Sequence, residues 1–239
     1  MEFALIAVVV LIAAVVQGSV GFGLGMLAAP VIGLTKPEML PGTLLVLAAG
    51  MTLAGFLRDR RAVDWKVFGW ASIGRVPGTV VGALLVGVLP TAGLSLTLAL
   101  TVLLAASLSS IGWSPRATRG SLLVAGAAAG VIGTSTSIGG PPLAIVLRRL
   151  AGPRLRGTMS AIFFGGSAIS LLSLYLTGSL SSYHLTSALA LAPVVGIGLL
   201  LSVPVSRRVP ASRIYLVAIL ASVLGAAFLV IQSVIQLLS

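Results

Sequence analysis

No aspartate, glutamate, lysine or arginine occurs between residues 3 and 34, between 39 and 57, or between 92 and 113. Uncharged apolar runs of this length leave few choices, because a helix crossing a bilayer core ~30 Å thick needs about 18 or more such residues. With the remaining runs they make eight segments, at roughly 3–34, 39–57, 66–89, 92–113, 121–149, 157–178, 183–205 and 212–238. None alternates apolar with polar residues, and the open edges of a sheet cannot be satisfied in lipid. The expected fold class is therefore an all-α membrane protein. Composition supports this: 58% of the 239 residues are hydrophobic and 8% are charged, whereas an average soluble domain carries about a quarter charged residues. The chain lacks the residues to build a water-facing shell.

The formal net charge is +11, but the cations sit in short clusters between apolar runs. That is the pattern of loops facing anionic headgroups. Without a basic stripe interleaved with aromatics, nucleic acid is not an expected partner. There is no cysteine, which excludes disulfides, thiolate chemistry and thiolate-bound metal. The N-terminal stretch lacks a basic leader and runs on into a glycine-rich segment, so it is expected to be a mature membrane segment and not a cleaved signal.

Comparison of the chain with itself shows a repeat. A shift of 116 residues lays the segment Val76 to Leu85 on Ala192 to Leu201, with Pro77 on Pro193 and Gly82 on Gly198. The same shift lays Gly23 on Gly139 and Gly50 on Gly166. Two homologous halves are expected, 1–115 and 116–239, integrated into one transmembrane domain.

Charge then bears on topology. If all eight segments crossed fully, Arg58, Arg60, Arg61, Lys66, Arg116 and Arg119 would share one side. Lys36, Arg148, Arg149, Arg154, Arg156, Arg207, Arg208 and Arg213 would share the other. Six against eight violates the positive-inside expectation. The conflict disappears if segment 121–149 enters the membrane and returns to the same side. Its first arm, 121–132, would be about 18 Å long, a little over half the hydrocarbon core. The glycine-rich stretch from Gly133 to Pro142 would then break the helix, and the repeat implies a matching break within 17–25. Each half becomes a re-entrant hairpin plus three transmembrane helices. Three is odd, so the halves form an inverted repeat, a recurrent transporter design. Eight full crossings are the alternative topology.

The two glycine-rich tracts are also where chemistry is expected. Irregular backbone at membrane depth must be buried in protein or line a wet cavity. Gln17, Ser19, Gly21, Gly23 and Gly25 make one candidate anion surface. Thr134, Ser135, Thr136, Ser137, Gly139, Gly140 and Pro141 make the other, with proline preorganising a helix start whose free N–H groups and dipole face the break. Arg75 lies inside a crossing segment, where an arginine costs at least ~2.5 kcal/mol and so faces a cavity or a partner. Its planar fork suits oxyanions; the competing reading has it reaching the headgroups from the nearer helix end. Glu2, Glu38, Asp59 and Asp64 all fall at segment ends or loops. An intramembrane hydrolase, a bound metal and an acidic proton relay therefore lack bases and ligands. The chain is not expected to be an enzyme or to carry a cofactor.

The sequence Gly21-Phe22-Gly23-Leu24-Gly25 followed by Pro30, and Ile138-Gly139-Gly140-Pro141-Pro142-Leu143 in the second half, resemble the paired signatures of the TauE/SafE sulfite exporter family. The repeated proline-containing helix around Pro77 and Pro193 fits, and the resemblance extends over nearly the whole chain. It implies a multi-pass transporter of sulfite, sulfonate or thiosulfate-like anions, exporting across the cytoplasmic (inner) membrane. The expected partners are a small anionic substrate and the lipid bilayer, with a homo-oligomer left open. The alternatives are a carrier of another small solute or cation, disfavoured by the lack of intramembrane carboxylates, and a structural or assembly subunit that transports nothing.

Overall fold

A computed structural model describes residues 2–90 and 115–210, together with isolated positions in 91–114 and 211–239. The segments expected at 92–113 and 212–238, with Arg213, lie outside the described residues. Among those described, every regular element is helical. They are α1 (Glu2–Val20), α2 (Leu24–Thr35), α3 (Gly42–Asp59), α4 (Trp65–Val88), α5 (Arg119–Thr136), α6 (Gly140–Val146), α7 (Gly152–Leu176) and α8 (Ser182–Arg208), with 3-10 turns at Pro37–Met39 and Arg60–Ala62. Among the described residues five helical stretches are long and apolar enough to cross a membrane: Glu2–Val20, Gly42–Ala62, Trp65–Val88, Gly152–Leu176 and Ser182–Arg208.

Local chemistry sets several of the boundaries. Asp64 caps α4, its Oδ1 accepting the Val67 N–H at 3.2 Å. Thr118 and Ser121 form a reciprocal capping box at the start of α5, which satisfies first-turn amides that have no partner within the helix. The helix α1 ends where Gly21 (φ +96°) and Gly23 (φ +132°) take conformations that side chains with a Cβ rarely adopt. At the matching place α5 ends on Ser137, at φ +62°.

The breaks are narrower than the sequence suggests. Each spans three residues, 21–23 and 137–139, and the helix expected to stop at residue 132 continues to Thr136. Its polar residues are the physical reason. The Ser135 hydroxyl donates to the Val131 carbonyl at 2.8 Å, and that of Thr136 to the Ile132 carbonyl at 2.6 Å. Ser19 does the same to Val15 at 2.8 Å in α1. Hydroxyls bonded back one turn are satisfied inside a helix and do not interrupt it. The first arm is thus 18 residues long, ~27 Å at 1.5 Å per residue, and not the half-length arm expected.

The helices are arranged in a matched way. Position 20 ends α1 and 24 starts α2; positions 136 and 140 do the same for α5 and α6. These pairs differ by 116, the offset of the sequence repeat. The helix α4 lies along α5, and α1 along α8. In the first pair the backbones nearly touch: a Cβ on Gly74, Gly78 or Gly82 would overlap the backbone of Leu123, Ala127 or Val131 respectively. The order of these contacts makes the two helices parallel. In the second pair Gly198 lies against Leu11 and Val15, and Gly18 against Leu199 and Ser202, again parallel. Small residues that let helices approach closely are the usual adhesive where lipid removes the hydrophobic drive between helices. The remaining central pair, α3 and α7, runs antiparallel, with Gly55 against Ser160 and Gly157 against Asp59.

Both aspartates gather arginines at one end. There Asp59 takes Arg58 and Arg156 at 3.3 and 3.2 Å, and Asp64 takes Arg154 at 2.7 Å. The Arg154 hydrogen bond holds the Asp64 carboxyl below the usual carboxylate range. Arg58 also donates to the Gly18 carbonyl at 3.2 Å, tying the last turn of α1 to this network.

Candidate functional site

Where the two breaks approach each other, between α3 and α7, lies a partly open cavity of about 40 Å³. A water needs ~10–15 Å³ on this measure, so the space suits one small ion or a few waters. The breaks interlock to form its walls. A Cβ on Gly25 would overlap the Ser137 carbonyl, and one on Gly140 would press on the Phe22 ring at 2.9 Å. Only glycine permits either approach.

Of the residues named from sequence, Gln17, Gly23, Gly25, Arg75, Ser137, Gly139 and Gly140 border this cavity. Gln17 also spans the first break: its Oε1 accepts the Leu24 N–H at 2.9 Å and so caps α2. Ser137 donates to the Pro41 carbonyl at 3.1 Å. The other named residues lie away from it. Ser19 donates toward the Ser202 carbonyl on α8 at 3.4 Å, and Gly21 lies against the Arg156 backbone. Thr134 shares a hydrogen bond with Ser170 at 2.7 Å, while Ser135 and Thr136 are bonded back into α5. Pro141 is buried but does not line the cavity. The α6 helix start offers less than expected, because α6 has only seven residues and Pro141 and Pro142 have no N–H to present.

Arg75 is the charged residue among those lining the cavity. It is 3% exposed, so the reading in which it reaches the headgroups does not hold. Among the described residues its Nε and Nη1 have no hydrogen-bond partner and no carboxylate pairs with it. The guanidinium carbon stands 5.1 Å from the Phe163 ring centroid, within cation–π range. The side chain crosses α7 at Gly166, where any Cβ would overlap Nε. On the other side Gly133 leaves room for Nη2, which a Cβ there would approach to 3.5 Å. The position equivalent to Arg75 at the 116-residue offset is Leu191, which is fully buried. The cation therefore belongs to one half only. An unpaired buried guanidinium is costly, and a bound anion with oxygens in one plane would supply its missing acceptors.

Sequence reasoning missed Phe22, Thr52, Phe163 and Ser167, which also line the cavity. A signal for α7 was present in Gly165-Gly166-Ser167, since Gly50 on Gly166 was part of the repeat. Nothing in a single sequence tells that Arg75 reaches across to that glycine.

Comparison with curated proteins and with solved structures gives no match. The family model described as sulfite exporter TauE/SafE matches residues 6–229, nearly the whole chain. With five apolar helical stretches able to span a bilayer and that match, the chain is an integral multi-pass membrane protein and belongs to the TauE/SafE family of membrane anion exporters.

Proposed function

We propose that this protein exports a small sulfur oxyanion of the sulfite, sulfonate or thiosulfate class across the cytoplasmic membrane, binding it at Arg75 between the two glycine breaks. One observation carries the proposal: a buried guanidinium with unpartnered Nε and Nη1 faces a cavity walled by both breaks. Among the described residues lining the cavity there is no carboxylate to attract a cation or relay a proton. The N-terminus of α2, 12 residues long, adds a favourable dipole for an anion at Gly25. Gln17, Ser137 and the backbone of Gly139 and Gly140 complete the site. The roughly 40 Å³ of space favours a compact anion, and a longer sulfonate needs the breaks to part.

The two halves act as an inverted repeat. Equivalent helices in such a repeat run in opposite directions, and the antiparallel contact of α3 with α7 supports this. A re-entrant second hairpin is supported by a pocket bordered by both its ends, Arg119 at the start of α5 and Arg149 after α6. Parting of one break or the other then opens the same cavity to either side, the alternating access that such architectures perform. The test is isothermal titration of detergent-purified protein with sulfite. Binding is expected in wild type and at least about tenfold weaker in Arg75→Lys, because an ammonium cannot fork onto two oxygens. Equal affinity in the two proteins removes Arg75 from the site.

A further inference from the structure

A second pocket, of about 260 Å³, lies at the basic end of the molecule and is separate from the interhelical cavity. Its walls come from the start of α4, the start of α5 and the chain leaving α6. Its floor is apolar, formed by buried Val67, Leu122 and Leu147. Its rim is cationic: Lys66, Arg119 and Arg149 all border it and all are exposed. The one acidic residue present, Asp64, is already taken by Arg154 at 2.7 Å and by the cap of α4. Among the described residues the other ion pairs use Arg58 and Arg156 on Asp59. Lys66, Arg119 and Arg149 are thus left without a carboxylate. The Arg119 guanidinium lies 5.2 Å from the ring centroid of Trp70, which also borders the pocket.

We propose that this pocket is a binding site for an anionic phospholipid, its phosphate held by Lys66, Arg119 and Arg149 and its chain laid on the apolar floor. Three uncompensated cations call for a polyvalent or strongly acidic anion, and phosphate oxygens match the arginine forks. A free phosphate would gain nothing from an apolar floor, whereas a lipid uses both halves of the pocket. Tryptophan and arginine meeting at one point mark headgroup depth, where a bilayer supplies this ligand in excess. Basic pockets between membrane helices are suited to acidic headgroups, each cation contributing about fivefold in affinity. The pocket joins α4, which carries Arg75, to both ends of the second hairpin. A lipid seated here holds those elements together.

Native mass spectrometry of the purified full chain tests this. The protein is titrated with phosphatidylglycerol, with phosphatidylethanolamine of the same acyl chains and, separately, with inorganic phosphate. Wild type is expected to bind phosphatidylglycerol about tenfold or more tightly than phosphatidylethanolamine. Lys66→Gln/Arg119→Gln/Arg149→Gln is expected to erase that preference. Arg61→Gln/Arg207→Gln/Arg208→Gln, which removes the same charge elsewhere, is expected to keep it. Should the pocket triple fail to fold, Arg149→Gln alone, at an exposed position, is expected to weaken phosphatidylglycerol about fivefold. Equal binding of the two lipids by wild type overturns the proposal, as does equal loss in both triple variants or no loss in Arg149→Gln. Displacement of phosphatidylglycerol by inorganic phosphate at comparable affinity overturns the lipid in favour of a free anion.

Discussion

Arg75 carries the account at the scale of the residue, and it does so at a cost to the fold. A guanidinium buried without an anion is destabilising, and at the centre of a membrane helix the penalty is at least ~2.5 kcal/mol. The equivalent position in the second half is occupied by Leu191, so Arg75→Leu installs a residue the repeat already tolerates. That variant is expected to melt at a higher temperature than ligand-free wild type and to lose sulfite binding. A lower melting temperature would mean that Arg75 is held by structure and not reserved for a ligand. Gly166 gives an independent check. A Cβ at Gly166 overlaps Arg75 Nε, while one at its repeat partner Gly50 meets nothing within 4 Å. Gly166→Ala is expected to weaken sulfite binding about tenfold or more by displacing the fork, and Gly50→Ala to leave it unchanged. Titration calorimetry on the two variants distinguishes these outcomes.

At the scale of the element, the helix ends and contacts decide what can move. Gly23 sits at φ +132°, and a Cβ there would also press on Val16 at 2.9 Å. Gly23→Ala is therefore expected to cost about 1–2 kcal/mol, read as a lower thermal midpoint, and to impair binding because the break can no longer close. The acidic cap of α4 responds to pH. The folded-state pKa of Asp64 is depressed by Arg154. Its stabilisation is then fully present above the ordinary value of 3.8 and lost as pH falls through the folded value. The melting temperature of Asp64→Asn is expected to lie below that of wild type at pH 7, and the gap to close in acid below that range. A gap independent of pH would assign the loss to the cap alone. Much of this level was legible in the sequence. Uncharged length announced the helices, and the offset of 116 placed both breaks. The extent of each break was not legible, because glycine and serine read equally as interruption or as close packing. Only the back-bonded hydroxyls of Ser135 and Thr136 and the contacts of Gly74, Gly78 and Gly82 decide for packing. The distribution of polar residues was likewise hidden: Ser19 and Thr134 share the tracts with Gln17, yet helix phase turns them away from the cavity.

For the whole molecule, the claim is two oppositely oriented halves closing on one anion site. Orientation is open to direct measurement because the chain has no cysteine. Single cysteines at Ala117, Pro153 and Ser181 can be labelled from one side of oriented vesicles at a time. Ala117 and Pro153 are expected to react from the cytoplasmic side and Ser181 from the other. Reaction of Ala117 and Pro153 from opposite sides would exclude the re-entrant hairpin and the inverted repeat. Function at this scale follows from charge. Among the described residues no carboxylate lines the cavity, and the membrane potential by itself favours exit of an anion. A potential of 100 mV, negative inside, is worth ~2.3 kcal/mol per elementary charge. The most direct measurement is sulfite efflux from loaded, oriented proteoliposomes with the potential clamped by potassium and valinomycin. Efflux is expected to accelerate when the compartment facing the basic loops is made negative, to need no pH or sodium gradient, and to vanish in Arg75→Leu. Efflux that strictly requires a proton or sodium gradient, or that persists unchanged in Arg75→Leu, would contradict export through this site.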